Sequence, residues 1–206
     1  MDRTFTVEPQ LAEFDVPISD FFDSKSEYNA FIIGAFIFSP ARNPNTTVSD
    51  DEIRRSTRAL LLRRAITDSL GGLWEGPGGS CDDTDATVLD SVAREVYEET
   101  GLHVSHIRDL VAVDRWDRVK DGEHIKAIKF SFWVDVHEAH QAPENSHFAP
   151  DWEDQIKLAP GEHEQYRWVT EAEVRRYLAG EDEAVKFTFP ATAKNYLEAF
   201  AVYNRV

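Results

Sequence analysis

An α/β domain is the fold class this sequence predicts, on three observations. Two strand-like apolar runs are followed by a stretch whose apolar residues return at helical spacing, and strand and helix patterns then alternate to the end. The composition is 42% hydrophobic and 12% aromatic, with thirteen Phe and five Trp, enough for a packed core. A length of 206 residues suits one domain, read as spanning 28–206, preceded by an arm over 1–27.

The arm is acidic and weakly patterned, and we read it as a cover over the core. NAFIIGAFIFSP predicts a strand at about Ala30 to Ser39, closed by Pro40, and NPNTTVSDDE reads as a turn-rich loop. A second strand follows in RALLLRRA. The next segment, DSLGGLWEGPGGSCDDTD, holds five glycines and one proline and is predicted to lack regular structure over most of its length. From Thr87 to Thr100 the apolar residues Val88, Leu89, Val92, Ala93 and Val96 repeat with helical period. Asp83, Thr84 and Asp85 offer capping oxygens before this helix, and Gly101 offers the stop. His103 to Val119 and Ile125 to His137 read as two longer strands paired across KDGE, where Asp121 and Gly122 suit a tight turn. Glu138 to Gly161 reads as a polar insertion. QYRWVT is a short strand, Thr170 a cap for the helix EAEVRRYLAG, and Pro190 the start of a last helix reaching about Tyr203.

Several functions are excluded or disfavoured by composition. The formal net charge of −16 repels polyanions, and no basic stripe offers a track for duplex nucleic acid. The longest apolar run is far short of the roughly 20 residues needed to span a bilayer, so no membrane is expected. The single cysteine, Cys81, allows no internal disulfide, and no export signal is expected at the N-terminus, which together point to the cytosol. The histidines lack HExxH spacing, which argues against zinc, and CDDTDATVLDSV lacks the glycine and terminal glutamate of a calcium loop.

The predicted helix carries the chemistry. At about 100° per residue, Glu95, Glu98 and Glu99 cluster at the edge of the apolar arc, with Glu99 inside it. Carboxylates three and four residues apart repel by roughly 0.2 to 0.5 kcal/mol per pair, and the C-terminal end of a helix adds a further penalty. Arg94 can pair with Asp90 or Glu98 but cannot neutralise all three glutamates. A divalent cation can, and Mg²⁺, or Mn²⁺ nearly as well, prefers such oxygen ligands shared with substrate phosphates. A solvated acidic helix face is the bland alternative. The glycine-rich loop beside the helix N-terminus tips the balance, because its backbone N–H groups suit a phosphate.

GPGGSCDDTDATVLDSVAREVYEETGL resembles a Nudix box, whose pattern is G-x5-E-x7-R-E-U-x-E-E-x-G-U with U aliphatic. Arg94, Glu95, Val96, Glu98, Glu99, Gly101 and Leu102 occupy every position of its second half. GGLWEGPGG resembles the family's approach to the box, EHEQYRWVT its short downstream strand, and the details most resemble fungal members. The first half departs from the pattern: Ala86 stands at the first glutamate position and Ser80 at the first glycine, with Gly78 and Gly79 further out, as if the loop held an inserted residue. In the family that glutamate helps hold the box arginine, so Asp83, Asp85 or Asp90 is expected to replace it. Gly76, where a larger apolar residue is usual, implies extra room near the loop.

The resemblance implies a Nudix-type α/β/α sandwich on a mixed β-sheet. It also implies Mg²⁺-dependent hydrolysis of a small-molecule diphosphate, such as a nucleoside diphosphate derivative. Glu95, Glu98 and Glu99 would hold the metal; Glu95, Glu98, Arg94 and Glu162 would serve catalysis, with Glu164 as a second choice of downstream acid. Gly78 and Gly79 would contact phosphate. Arg115, with Arg118 and Lys120 nearby, is a further phosphate candidate set against ordinary pairing with Asp114, Asp117 and Asp121, and Lys126 and Lys129 read similarly. Cys81 reads as a small filler residue in preference to a redox-sensitive thiol. Two other functions fit: an isoprenoid diphosphate hydrolase, with an apolar pocket around Gly76 and Phe130 to Val134, and a non-catalytic nucleotide sensor. A homodimer is left open, with the arm and the 138–161 insertion as the segments to cover the site or a partner copy.

Overall fold

A computed structural model describes residues 3–39, 56–140, 151–182 and 184–205. Its strands are β1 (Thr6–Val7), β2 (Ala30–Ser39), β3 (Arg58–Arg64), β4 (Trp74–Glu75), β5 (Val104–Lys120), β6 (Glu123–Val136) and β7 (His163–Thr170). The helices are α1 (Ile18–Ser24), α2 (Val88–Thr100), α3 (His137–His140), α4 (Glu171–Leu178) and α5 (Pro190–Tyr203). The loop expected in NPNTTVSDDE and the centre of the expected insertion, 141–150, lie outside the described residues.

The seven strands form a mixed sheet in the order β1-β5-β6-β2-β3-β4, with β7 also on β3. β2 runs parallel to β6 from Ala30 opposite Ala127 to Ile37 opposite Val134, and it is buried continuously from Ile33 to Ser39. Covering on both faces explains why its sequence is apolar without alternation. β5 and β6 form the predicted hairpin, and Asp121 (φ 53°) and Gly122 (φ 84°) make its two-residue turn.

Each face of the sheet carries a core. On one, α2 buries Val88, Leu89, Val92 and Val96 against Ile33, Ile37, Leu60, Leu62, Phe130 and Phe132. On the other, α5 buries Ala193, Tyr196, Ala199 and Phe200 against Phe36, Phe38, Leu61 and Trp133. The result is the expected α/β/α sandwich. Among the described residues no helix is long and apolar enough to cross a membrane.

The N-terminal segment is built into the first of these cores. A 3₁₀ turn at Pro9–Phe14 and helix α1 place Leu11, Phe14, Ile18 and Phe21 in the α2 layer. Phe14 meets Phe130 and Phe132 edge-on, each at 5.1 Å between ring centroids. The segment is thus more than a cover. The later part of the expected insertion is also less polar than its sequence suggests: Trp152 is fully buried, and the Lys157 N–H donates to the Thr100 carbonyl at the end of α2 (2.8 Å).

Helix α2 is capped one turn later than its acidic prelude suggests. Thr87, not Asp83, Thr84 or Asp85, is the N-cap, its hydroxyl accepting the Asp90 N–H. Gly101 closes the helix in the left-handed region, φ 70°, as expected.

Phe14→Ala is expected to cost about 3 to 5 kcal/mol in urea unfolding, the scale of a core aromatic deletion. A loss below about 1 kcal/mol, typical of exposed positions, would contradict the integration of the N-terminal segment.

Candidate active site

The site forms where the glycine-rich loop crosses β2. β3 pairs with β2 only at Phe38 and Ser39, so the rest of that strand edge needs other partners. The loop supplies them: Ile33 N–H donates to Gly79 O (2.9 Å), Ala35 N–H to Pro77 O (2.8 Å), and Cys81 N–H to Phe31 O (2.9 Å). Glycine is required at Gly78 for this approach, and a small residue is favoured at Gly79. A Cβ on Gly78, at φ 150°, would lie 2.3 Å from Ile33 O, and one on Gly79 would lie 2.6 Å from Glu95 Oε2. A Cβ on Gly76 would lie 2.7 Å from the Tyr196 hydroxyl, which donates to Leu60 O (2.6 Å). The extra room expected at Gly76 is therefore filled by a buried tyrosine from α5.

Beneath the loop, α2 presents its three glutamates in graded environments. Glu98 is 54% exposed, Glu95 is largely buried, and Glu99 retains 8% exposure and accepts the Gly78 N–H (2.8 Å). That bond commits the Gly78 N–H to a carboxylate and corrects its expected use on a phosphate. Burial pushes the Glu99 carboxyl up to about 7, with Glu95 and Glu75 adding to the rise while His163 and the Gly78 N–H oppose it. Burial likewise raises Glu95, against the pull of Arg94 and with the push of Glu98 and Glu162.

Arg94 ties helix to loop. It donates to Asp85 (3.0 to 3.2 Å), the Ser80 carbonyl (3.0 Å), Glu95 (2.8 Å) and Glu98 (3.1 Å). Burial works to lower its pKa, but hydrogen bonds and charges from Asp85 and Glu95 prevail and hold it above the usual arginine value. Asp85 is thus the carboxylate that replaces the family's first glutamate. Asp90 instead pairs with Arg3 and Thr87. With Gly79 taken as the first glycine and Asp85 as the acid, five residues separate them as in the family pattern, and eight rather than seven separate Asp85 from Arg94. The extra residue thus falls in the turn into α2.

Across a cleft of about 550 Å³ stand Arg64 and Asp68 beside β3 and Glu162 and His163 at the start of β7. Arg64 holds Glu75 and Asp68 through its two Nη atoms and donates from Nε to Ser69 O (2.7 Å). Burial would raise Glu75, but His163, Lys129 and Arg64 together hold it below the usual carboxylate value. Glu162 is exposed and offers an oxygen to the same small volume as Glu99 and His163, all three ligand atoms lying within 4.8 Å of one another. Glu164 points elsewhere, to Arg63 at 3.3 Å.

His163, Glu75, Arg64 and Asp68 were not singled out from the sequence. For His163 the available signal was its place beside Glu162 at the head of a strand. Glu75 sits in a two-residue strand inside the glycine-rich segment, where no periodicity marks it. Arg115 is not among the residues lining the cleft; its Nε donates to the Tyr28 hydroxyl at 3.0 Å, out along the hairpin. Cys81 packs against the core, and burial pushes its thiol up to about 11, which fits the filler reading.

These residues fit a hard dication. Glu95, Glu98, Glu99 and Glu162 line one cleft, Glu99 and Glu162 lie close together there with His163, and Arg94 is divided among Asp85, Glu95 and Glu98. A carboxylate as buried as Glu99 is held ionised only at a cost that a cation would offset. Such a cleft, walled by a backbone loop and floored by acids, suits metal-assisted chemistry on a phosphate. A family model described as NUDIX domain matches residues 48–189, and the chain belongs to that family as a Nudix-type hydrolase.

Relatives agree with this. An uncharacterised Nudix hydrolase, YvcI, of Bacillus subtilis is 32% identical over 122 residues, 56% of this chain and 73% of that protein. An RNA pyrophosphohydrolase of a Psychrobacter species is 36% identical over 74 residues, 32% of this chain and 40% of that protein. A MutT protein of Methanosarcina mazei superposes with a TM-score of 0.51 at 24% identity, covering 86% of this chain and 96% of that one, which speaks for the fold alone.

Two measurements test this geometry. Asp85→Ala and Arg94→Ala should be strongly non-additive, with a coupling of about 1 to 3 kcal/mol in a double-mutant unfolding cycle; additive losses would separate the pair. Glu99 carries a second test, because its folded value of about 7 lies above its unfolded value near 4.5. The folded state keeps a proton that the unfolded state has released, so this group's stabilisation is complete below about pH 4.5 and is lost as pH rises through 7. In chelator the loss should reach about 3 kcal/mol, and Glu99→Gln should remove that slope in urea unfolding across the window.

Proposed function

We propose that the protein hydrolyses the diphosphate linkage of a nucleoside diphosphate derivative or a related organic diphosphate, using Mg²⁺ or Mn²⁺ held by Glu95, Glu98 and Glu99. The observation that carries this reading is that those three carboxylates, one of them buried, line a single cleft beneath the glycine-rich loop. When bound, the cation would supply charge neutralisation on the diphosphate oxygens and a lowered pKa for an attacking water.

The chain's own residues do the rest. Glu99, fixed by the Gly78 N–H, and Glu95, fixed by Arg94, are held without free rotation. Glu98 and Glu162 are the exposed acids of the cleft and the two positioned to take a proton from water. Arg94 is a positioning residue, since its donors are spent on Asp85, Ser80, Glu95 and Glu98. Arg64, across the cleft, adds positive charge to an otherwise acidic mouth.

A nucleoside-linked substrate is favoured over an isoprenoid one. The apolar pocket that an isoprenoid chain would need is closed: Phe130, Phe132 and Val134 are buried in the core, and Tyr196 fills the space at Gly76. Two relatives whose names give substrates, an RNA pyrophosphohydrolase and an 8-oxo-dGTP diphosphatase, point the same way. The sensor reading was motivated by the altered first half of the box, and the Asp85 contacts with Arg94 remove that motive.

The test is product analysis with Mg²⁺ on ADP-ribose, dinucleoside polyphosphates, nucleoside triphosphates and farnesyl diphosphate. Turnover is expected on at least one nucleoside compound, with Glu98→Gln lowering kcat by about 10²- to 10⁴-fold. If no compound is cleaved while nucleotide binding survives Glu98→Gln, the protein is a sensor.

A further inference from the structure

We infer that His163 is a metal ligand, and that Glu99, Glu162 and His163 form a mixed nitrogen and oxygen site that favours a borderline transition cation such as Mn²⁺ or Co²⁺ over Mg²⁺. The inference rests on the reading of this cleft as a cation site and adds a residue that the box glutamates do not include.

The histidine is the unusual group. Its side chain is 2% exposed, and neither ring nitrogen has a hydrogen-bond partner among the described residues. A neutral imidazole carries one donor and one acceptor, and leaving each unsatisfied in the interior costs about 1 to 3 kcal/mol. The fold does satisfy a histidine whose role is structural: His106 places one nitrogen on the Thr6 hydroxyl and the other 3.0 Å from Glu8. His163 receives no such treatment, although carboxylates stand on both sides of it.

The gaps on those two sides identify what is missing. Nδ1 lies 3.7 Å from Glu99 Oε1, too far for a hydrogen bond. Two ligand atoms each about 2.1 Å from one ion lie roughly 3.0 to 4.2 Å apart, depending on the angle between them, so the spacing suits a shared cation. Nε2 faces Glu75 Oε1 at 3.9 Å, and Glu75 is itself held by Arg64. Glu162 closes the ligand set from the exposed side, which leaves Glu98 as the exposed acid to take a proton from water.

Donor type then decides the metal. Mg²⁺ selects oxygen ligands and water, whereas imidazole nitrogen suits the first-row transition cations.

Metal-free full-length protein loaded with Mn²⁺ and read by pulsed electron paramagnetic resonance should show coupling to a directly bound ¹⁴N nucleus. His163→Gln should abolish that coupling and weaken Mn²⁺ binding about 10- to 100-fold, while Mg²⁺ binding, followed by calorimetry, changes by less than about threefold. Circular dichroism of the variant checks its fold, and if it fails to fold the spectrum of the parent protein still decides. Mn²⁺ bound without nitrogen coupling, or no Mn²⁺ uptake, would overturn the proposal. Nitrogen coupling in a protein that cleaves no diphosphate would sustain it and defeat the hydrolase reading alone.

Discussion

A carboxylate placed on the buried face of a helix is the constraint around which the site is arranged. Glu99 lies among the apolar residues of α2, where burial raises its pKa to about 7 and where Glu95 and Glu75 add negative charge nearby. Helix physics alone would put a smaller or apolar side chain there. The surrounding structure answers the difficulty with the Gly78 N–H, with a histidine kept out of hydrogen-bonding contact, and with an acidic mouth able to take a dication. Each of these makes little sense without the others.

The sheet explains why the loop can serve this purpose. Most of the β2 edge facing the loop has no strand partner, and a glycine-rich segment fills it at close range, with Gly78 packed onto the Ile33 carbonyl and Gly79 onto Glu95. Arg94 then links loop to helix through Asp85 and Ser80, so the position of the loop sets that of the glutamates. A shift of one ångström in this assembly would displace Glu95 and Glu99 together, which is why supporting contacts matter to such a site as much as the acids themselves.

What could be read from the sequence follows from where periodicity speaks. The boundaries of β2, the hairpin turn at Asp121 and Gly122, and the helices capped by Thr170 and begun by Pro190 were legible because each carries a strong local signal. The box glutamates were legible because their spacing contradicts ordinary helix composition. The arm is only partly legible, since Leu11, Phe14, Ile18 and Phe21 are spread through acidic sequence and only tertiary contact reveals them as core. The cap of α2 was placed too early because Asp83 and Asp85 compete as capping oxygens on paper, while Asp85 is engaged by Arg94 and Ser91. Gly76 looked like a gap because the tyrosine that fills it comes from α5, some hundred and twenty positions away along the chain. His163 and Glu75 stayed hidden for the same reason: their meaning lies in what stands across the cleft.

On the proposed reading of the cleft, a dication displaces the proton that burial leaves on the acidic cluster. Calorimetric titration of the metal-free protein with Mg²⁺ or Mn²⁺ at pH 6, in two buffers of different ionisation enthalpy, measures that proton directly. With Glu99 near 7, binding should release at least about half a proton per ion, and Glu99→Gln should suppress the release. Binding without proton release, or no binding heat in either buffer, would contradict it.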